Sequence, residues 1–89
     1  MLRSAYTIQF EKDLKKLLKA GKDKEKLKAI IVKLINQEKL EPKYKDHKLA
    51  GNFKTRRECH VEPDWLLIYK LTSDEIIFER TGSHSELFK

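Results

Sequence analysis

The run WLLIYKLTSDEIIFERTG, Trp65–Gly82, decides the fold. Trp65–Leu71 is the most apolar segment of the chain, of strand length and rich in aromatic and branched residues. Thr72-Ser73-Asp74 is a turn cluster, and Glu75–Thr81 supplies a second strand that Gly82 ends. Two such runs across so short a turn predict an antiparallel hairpin. Alternation puts Ile76, Phe78 and Arg80 on one face of the second strand and Ile77, Glu79 and Thr81 on the other.

Working outward toward the N-terminus, Glu62-Pro63-Asp64 is a turn, and Phe53–Val61 reads as a third strand. There Arg56, Glu58 and His60 share one face, and Arg57, Cys59 and Val61 the other. The second set holds the apolar pair, so Glu58 and His60 are expected to look away from the core. Before this lies a polar connector, Glu38–Gly51, containing Pro42, and before that the period changes from 2 to 3.6. Phe10, Leu14, Leu17 and Leu18 mark one helix that Gly21 stops. Asp23 can cap a second, striped by Leu27, Ile30, Ile31, Leu34 and Ile35. The Gly21–Lys22 link is short enough only for an antiparallel helix pair. Arg3–Ile8 has the β-branched and aromatic content of a first strand. The expected fold is therefore α+β, in the order β-α-α-β-β-β. An antiparallel sheet carries an N-terminal helical hairpin on one face and leaves the other partly open to ligand. At 89 residues the chain fits one domain, 1–89.

Charge narrows the partners. The formal net charge is +6, and it is unevenly spread. Residues 1–45 carry 13 Lys/Arg against 6 Asp/Glu, a balance of +7, whereas residues 46–89 carry 7 against 8. A basic helical half suits a polyanion bound without sequence preference; it is also what a solvated helix surface looks like. One cysteine, Cys59, rules out an internal disulfide. Neither a signal peptide nor a run of about 20 apolar residues is present, which predicts a cytoplasmic protein without membrane contact. His47, His60 and His84 come from a connector, a strand and the tail, with no HxH or HExxH spacing, so no metal and no cofactor is expected.

If the hairpins pair as their turns suggest, His60, Arg80 and His84 converge at one end of the sheet. RNA brings its own nucleophile, the 2′-hydroxyl. Cleaving it takes a base for that proton, an acid for the departing 5′-oxygen and a cation for the phosphorane. Histidine titrates in the right range for either proton transfer, and a strand-borne guanidinium grips phosphate oxygens in a fork. Trp65, Tyr69 and Phe88 could stack on bases. Each residue also has a plain structural reading. Trp65 lies in the apolar strand, Asp64 follows Pro63 in a turn, Asp46 neighbours His47, and Arg80 could pair with Glu58 or Glu79 across the sheet. The spacing fits equally a basic module that binds nucleic acid or a partner without catalysis.

From Tyr44 onward the chain resembles the YafQ branch of the RelE-like toxins. The matching residues are Tyr44-Lys45-Asp46-His47, Leu49, Gly51, Arg57 through Trp65, Leu67-Ile68-Tyr69, Phe78 through Gly82 and Ser83 through Phe88. They are mostly polar residues that a core would not demand. The resemblance implies a toxin of a type II toxin–antitoxin module that cleaves messenger RNA in the ribosomal A site. It would be neutralised by an antitoxin from the same operon and would repress its promoter DNA jointly with it. The family's functional positions fall on His47, His60, Asp64, Arg80, His84 and Phe88, with Glu58 where relatives can carry Asp. His84 is then expected to be the general acid and His60 the base, with His47 its competitor. Arg80 would hold the phosphorane, Asp64 would orient a histidine or the substrate, and Phe88 would position the base. Lys54, Arg56, Arg57 and the helix lysines would bind RNA phosphates.

Overall fold

The structure, a computed structural model, describes residues 1–49 and 55–88. Strand β1 (Arg3–Tyr6) leads into α1 (Ile8–Lys19), whose N-cap Thr7 accepts the amide hydrogen of Phe10 through its hydroxyl. Gly21, at φ +87°, makes the left-handed turn that a side chain would strain. Asp23 then caps α2 (Lys24–Ile35) as its sequence position predicts. A single 3-10 turn, Pro42–Tyr44, precedes β2 (His47–Lys48). Strands β3 (Arg56–Glu62), β4 (Trp65–Leu71) and β5 (Glu75–Gly82) follow, and a four-residue helix, α3 (His84–Leu87), closes the chain.

The sheet runs β1-β5-β4-β3-β2. Its meander β2–β5 is antiparallel as expected, but β1 pairs with β5 in parallel, so the sheet is mixed. The helical hairpin explains this. It carries the chain across one face to the far edge, and four antiparallel strands then return it beside β1 with its direction matched. The start of the third strand expected from Phe53, and Lys54 with it, lies outside the described residues.

One face of the sheet carries the core. Leu2, Phe10, Leu17, Leu27, Ile30, Leu34 and Leu40 pack on Cys59, Val61, Trp65, Leu67, Tyr69, Ile76 and Phe78. Burial raises the Cys59 thiol to about 12, so the lone cysteine is an inert core residue. Leu66 and Ile68 point the other way and are buried as well, which makes them the apolar floor of the second face.

A bulge in β5 alters the parity read from the sequence. Ile68 pairs with Arg80 and Tyr69 with Phe78, leaving Glu79 as the extra residue. Beyond it the faces swap. Thr81 joins Phe78 and Ile76 on the core side, where its hydroxyl accepts from Trp65 Nε1 at 2.9 Å and donates to the Leu66 carbonyl at 2.8 Å. Arg80 shifts to the Ile68 face instead of sharing that of Phe78. No helix among the described residues is long and apolar enough to cross a membrane.

Candidate active site

Cross-strand register assembles the candidate residues on the second face. One rung reads His47, Glu58, Ile68, Arg80 across β2, β3, β4 and β5. The neighbouring rung reads His60, Leu66, Gly82. The sequence expectation that Glu58 and His60 turn from the core therefore holds for their direction. Glu58 is nevertheless buried at 5% exposure, because two imidazoles and the sheet floor enclose it.

Glu58 is the hub of this half of the site. Its Oε2 lies 3.2 Å from His47 Nε2 and 3.9 Å from His60 Nε2. Its Oε1 is buried with no hydrogen-bond partner among the described residues. An orphaned carboxylate oxygen costs free energy. Both rings are held from behind. Lys45 adopts a left-handed conformation, φ 48°, and its carbonyl meets His47 Nδ1. The Pro63 carbonyl, 3.3 Å away, meets His60 Nδ1. A carbonyl accepts only, so each Nδ1 carries a hydrogen, and His47 Nε2 bonds the Glu58 carboxylate only when it donates as well. Asp46, which precedes His47, does not attend it; its carboxylate bonds the Tyr69 hydroxyl and Arg57.

The other half lies where β5 turns into α3. Gly82 permits the turn: a Cβ there would stand 3.2 Å from Glu86 Oε1 and 3.4 Å from Leu87 Cδ2. Ser83 and Glu86 form a reciprocal capping box. The Ser83 amide, then Lys16 at 2.9 Å, pull the Glu86 carboxyl down to about 2. Asp64, in the β3–β4 turn, accepts the His84 amide hydrogen at 2.9 Å, pinning the tail beside His60's own turn. The His84 and Phe88 rings lie 5.0 Å apart at 44°. His60, Arg80 and His84 do occupy the same end of the sheet, but among the described residues no hydrogen bond joins their side chains. The arrangement offers two proton-transfer groups on either side of an apolar floor, with a cation at its edge.

Arg80 pairs with neither Glu58 nor Glu79. Its Nε donates to Asp13 of α1 at 2.8 Å, and this bond does most to raise the guanidinium's pKa. Glu79 is taken by Arg56. Arg57 lies on the face opposite Glu58, held by Asp46 and Tyr69, away from the rung that carries His47 and Arg80. Trp65 and Tyr69 are corrections too. Both are buried, at 0% and 1% exposure, with ring faces in the core where no base can stack. Their apolar strand signalled this. Asp13 was not found from the sequence, since its partner is 67 residues away, and only a carboxylate interrupting a lysine-rich helix hints at it; Glu79 was read as a possible partner of Arg80 and pairs with Arg56 instead.

Among the described residues no three His, Cys, Asp or Glu are grouped so as to hold a metal ion. Comparison with known proteins identifies the family. The family model of the "Bacterial toxin of type II toxin-antitoxin system, YafQ" matches residues 2–89. The mRNA interferase toxin YafQ of Escherichia coli (strain K12) is 51% identical over 84 residues, covering 93% of this chain and 91% of the relative. The crystal structure of a copper-bound mutant toxin from Helicobacter pylori superposes with a TM-score of 0.95 at 45% identity, covering 99% and 100% of the two chains. YafQ in the crystal structure of the E. coli DinJ-YafQ complex superposes at 0.93 with 48% identity, covering 100% of each. With the match running from the first strand to the tail, the chain belongs to the YafQ family of bacterial toxins of type II toxin–antitoxin systems.

Proposed function

We propose that this chain, as one toxin domain spanning residues 1–89, is an mRNA interferase: a ribosome-dependent endoribonuclease that stops translation in the cytoplasm. The observation that carries the reading is the 51% identity, along nearly the whole of both chains, to a relative named mRNA interferase toxin. The geometry of the second face supplies the chemistry.

His60 takes the 2′-hydroxyl proton. Its Nδ1–H is committed to the Pro63 carbonyl, and its Nε2, 3.9 Å from Glu58, is outside hydrogen-bond range and can turn its lone pair to substrate. His47 Nε2, at 3.2 Å from the same carboxylate, bonds it by donating and then has no lone pair for the proton, which makes it the weaker candidate. Glu58 stabilises the imidazolium that forms. As the 2′-oxygen bonds to phosphorus, Arg80 compensates the charge gathering on the phosphorane. The bond from phosphorus to the 5′-oxygen then breaks, and His84 donates its proton to that oxygen. The products are a 2′,3′-cyclic phosphate and a 5′-hydroxyl. Asp64 orients His84 through its amide, and Phe88, beside the His84 ring, positions the base of the cleaved nucleotide. The lysines of α1 and α2, with Lys54, hold ribosomal RNA phosphates.

No step runs through a metal. Two imidazoles and a carboxylate are donors that copper could use after rearrangement, but as they stand both nitrogens face one oxygen. E. coli YafQ crystallises with DinJ, which supports a cognate antitoxin for this chain, encoded in the same operon and joining it in binding operator DNA. The test is cleavage of mRNA on programmed ribosomes. Wild type should cut only in their presence, and His84→Gln should lose about 10²–10⁴-fold in rate. Full activity of His84→Gln would remove it as the acid. Growth arrest by both proteins without any cleavage would mean that the chain acts by binding alone.

A further inference from the structure

We infer that Asp13 is a positioning residue for the cleavage reaction, holding one edge of the Arg80 guanidinium so that its other edge meets the phosphate. The inference rests on the proposed function and adds a residue from the first helix to it.

Asp13 is unlike the other acidic residues of the helices. Its side chain is 10% exposed, and all of its acceptor capacity is used. Oδ2 accepts from Arg80 Nε at 2.8 Å and from the Thr81 amide at 3.2 Å. Oδ1 accepts from Arg80 Nη2 at 3.3 Å and from Gln9 Nε2 at 3.0 Å. The fold creates the opening for this. The register of β1 with β5 ends at Tyr6–Phe78, and the bulge follows at Glu79, so the amide edge of β5 at Thr81 has no strand beside it. Thr7 bonds the Glu79 carbonyl at 2.9 Å and leads α1 along that edge, and Asp13 fills the vacant acceptor position.

Anchoring the Thr81 amide needs one oxygen, and a neutral side chain would serve. The carboxylate does more, because it takes the Nε–Nη2 edge of Arg80 in a two-point fork that fixes the plane of the guanidinium. That leaves the Nη1 edge, on a side chain 37% exposed. Beside it lies a cavity of about 250 Å³ lined by Gln9, Lys12, Asp13, Lys16, Arg80 and Glu86. Lys16 is paired with Glu86 and Arg80 with Asp13, so Lys12 leaves the lining with a net positive charge, which suits an anionic group such as an RNA phosphate. An arginine on an open strand otherwise samples many rotamers. One held by a buried carboxylate waits in a single orientation, which is how a positioned cation lowers a barrier without reorganising during the reaction.

The opposite function can be separated by experiment. If Asp13 merely neutralised Arg80 and restrained the toxin, removing its charge would speed cleavage. The experiment is single-turnover cleavage of ribosome-bound mRNA by the full chain, comparing wild type, Asp13→Asn, Arg80→Ala and the double variant. Asp13→Asn should lower the rate at saturating toxin by about 10–100-fold, while half-saturation moves less than about threefold. In the Arg80→Ala background the same substitution should cost less than about twofold, since the group it positions is gone. Asp13→Glu, which keeps the charge and both acceptors, should recover part of the rate, and it takes the place of Asp13→Asn if that variant does not fold. Equal losses in both backgrounds, or a faster Asp13→Asn enzyme, would overturn the inference. Absence of cleavage by wild type would instead sink the proposed function beneath it.

Discussion

Thr81→Val should be a severe mutation, although it swaps one buried group for another of nearly the same shape. Thr81 is 1% exposed, and its hydroxyl joins two strands by accepting from Trp65 Nε1 and donating to the Leu66 carbonyl. Valine fills the volume but makes neither bond. The indole N–H is then buried without a partner, which costs about 1–3 kcal/mol, and the lost bond to a carbonyl adds about 0.5–1.5. The sum, about 1.5–4.5 kcal/mol, is a large share of the stability of a small domain. At roughly 4–8 °C per kcal/mol for a chain of this size, the melting temperature should fall by roughly 6–36 °C. Thr81→Ser keeps the hydroxyl and loses one methyl, about 0.8 kcal/mol. Urea unfolding followed by the fluorescence of Trp65, the single tryptophan, gives both values. The valine variant should unfold well before the serine variant. If valine proved the more stable of the two, burial of carbon rather than the hydroxyl bridge would govern this position, and the argument would fail.

The tail should respond to acid. The Glu86 carboxyl is held at about 2, well below its ordinary value of 4.5, by the Ser83 amide and Lys16. A depressed carboxyl contributes stability that is fully present above its unfolded value and disappears as pH falls through its folded one. The amides of His84–Phe88 should therefore lose hydrogen-exchange protection between about pH 4.5 and 2 in advance of the sheet, and Glu86→Gln should abolish that dependence. A tail as protected at pH 2 as at pH 6 would contradict the capping account. Cys59, fully buried with its thiol raised to about 12, should resist a thiol reagent at pH 8 in the native protein and react once urea unfolds it. Rapid native labelling would show that the strand is open there.

Much of the architecture was legible in the chain because local chemistry dictates it. Gly21 and Asp23 bracket the helix turn, Thr72-Ser73-Asp74 sets the hairpin, and the polar residues of 44–88 identify the family that the match over residues 2–89 bears out. Tertiary pairing carries what was missed. Strand β2 is two residues long and exists because His47 and Lys48 meet Glu58 and Arg57, and no periodicity can announce so short a segment. The parallel partner of β1 depends on where the helical hairpin delivers the chain. The Glu79 bulge leaves no mark in the alternation, so strict period-2 counting placed Arg80 beside Phe78 and Thr81 opposite it. Trp65 and Tyr69 were credited with stacking for their chemistry, while their apolar strand spoke for the core. Asp13 carries only the faint signature of a carboxylate within a lysine-rich helix; its partner is 67 residues away.

The most direct test of the central claim is to induce the wild-type chain and His84→Gln in growing bacteria and map the 5′ ends of cellular transcripts. The account predicts new 5′-hydroxyl ends within translated frames for wild type, paired with 2′,3′-cyclic phosphates, and none for His84→Gln. New ends carrying 5′-phosphate and 3′-hydroxyl groups, or the same 5′-hydroxyl ends from both proteins, would contradict it.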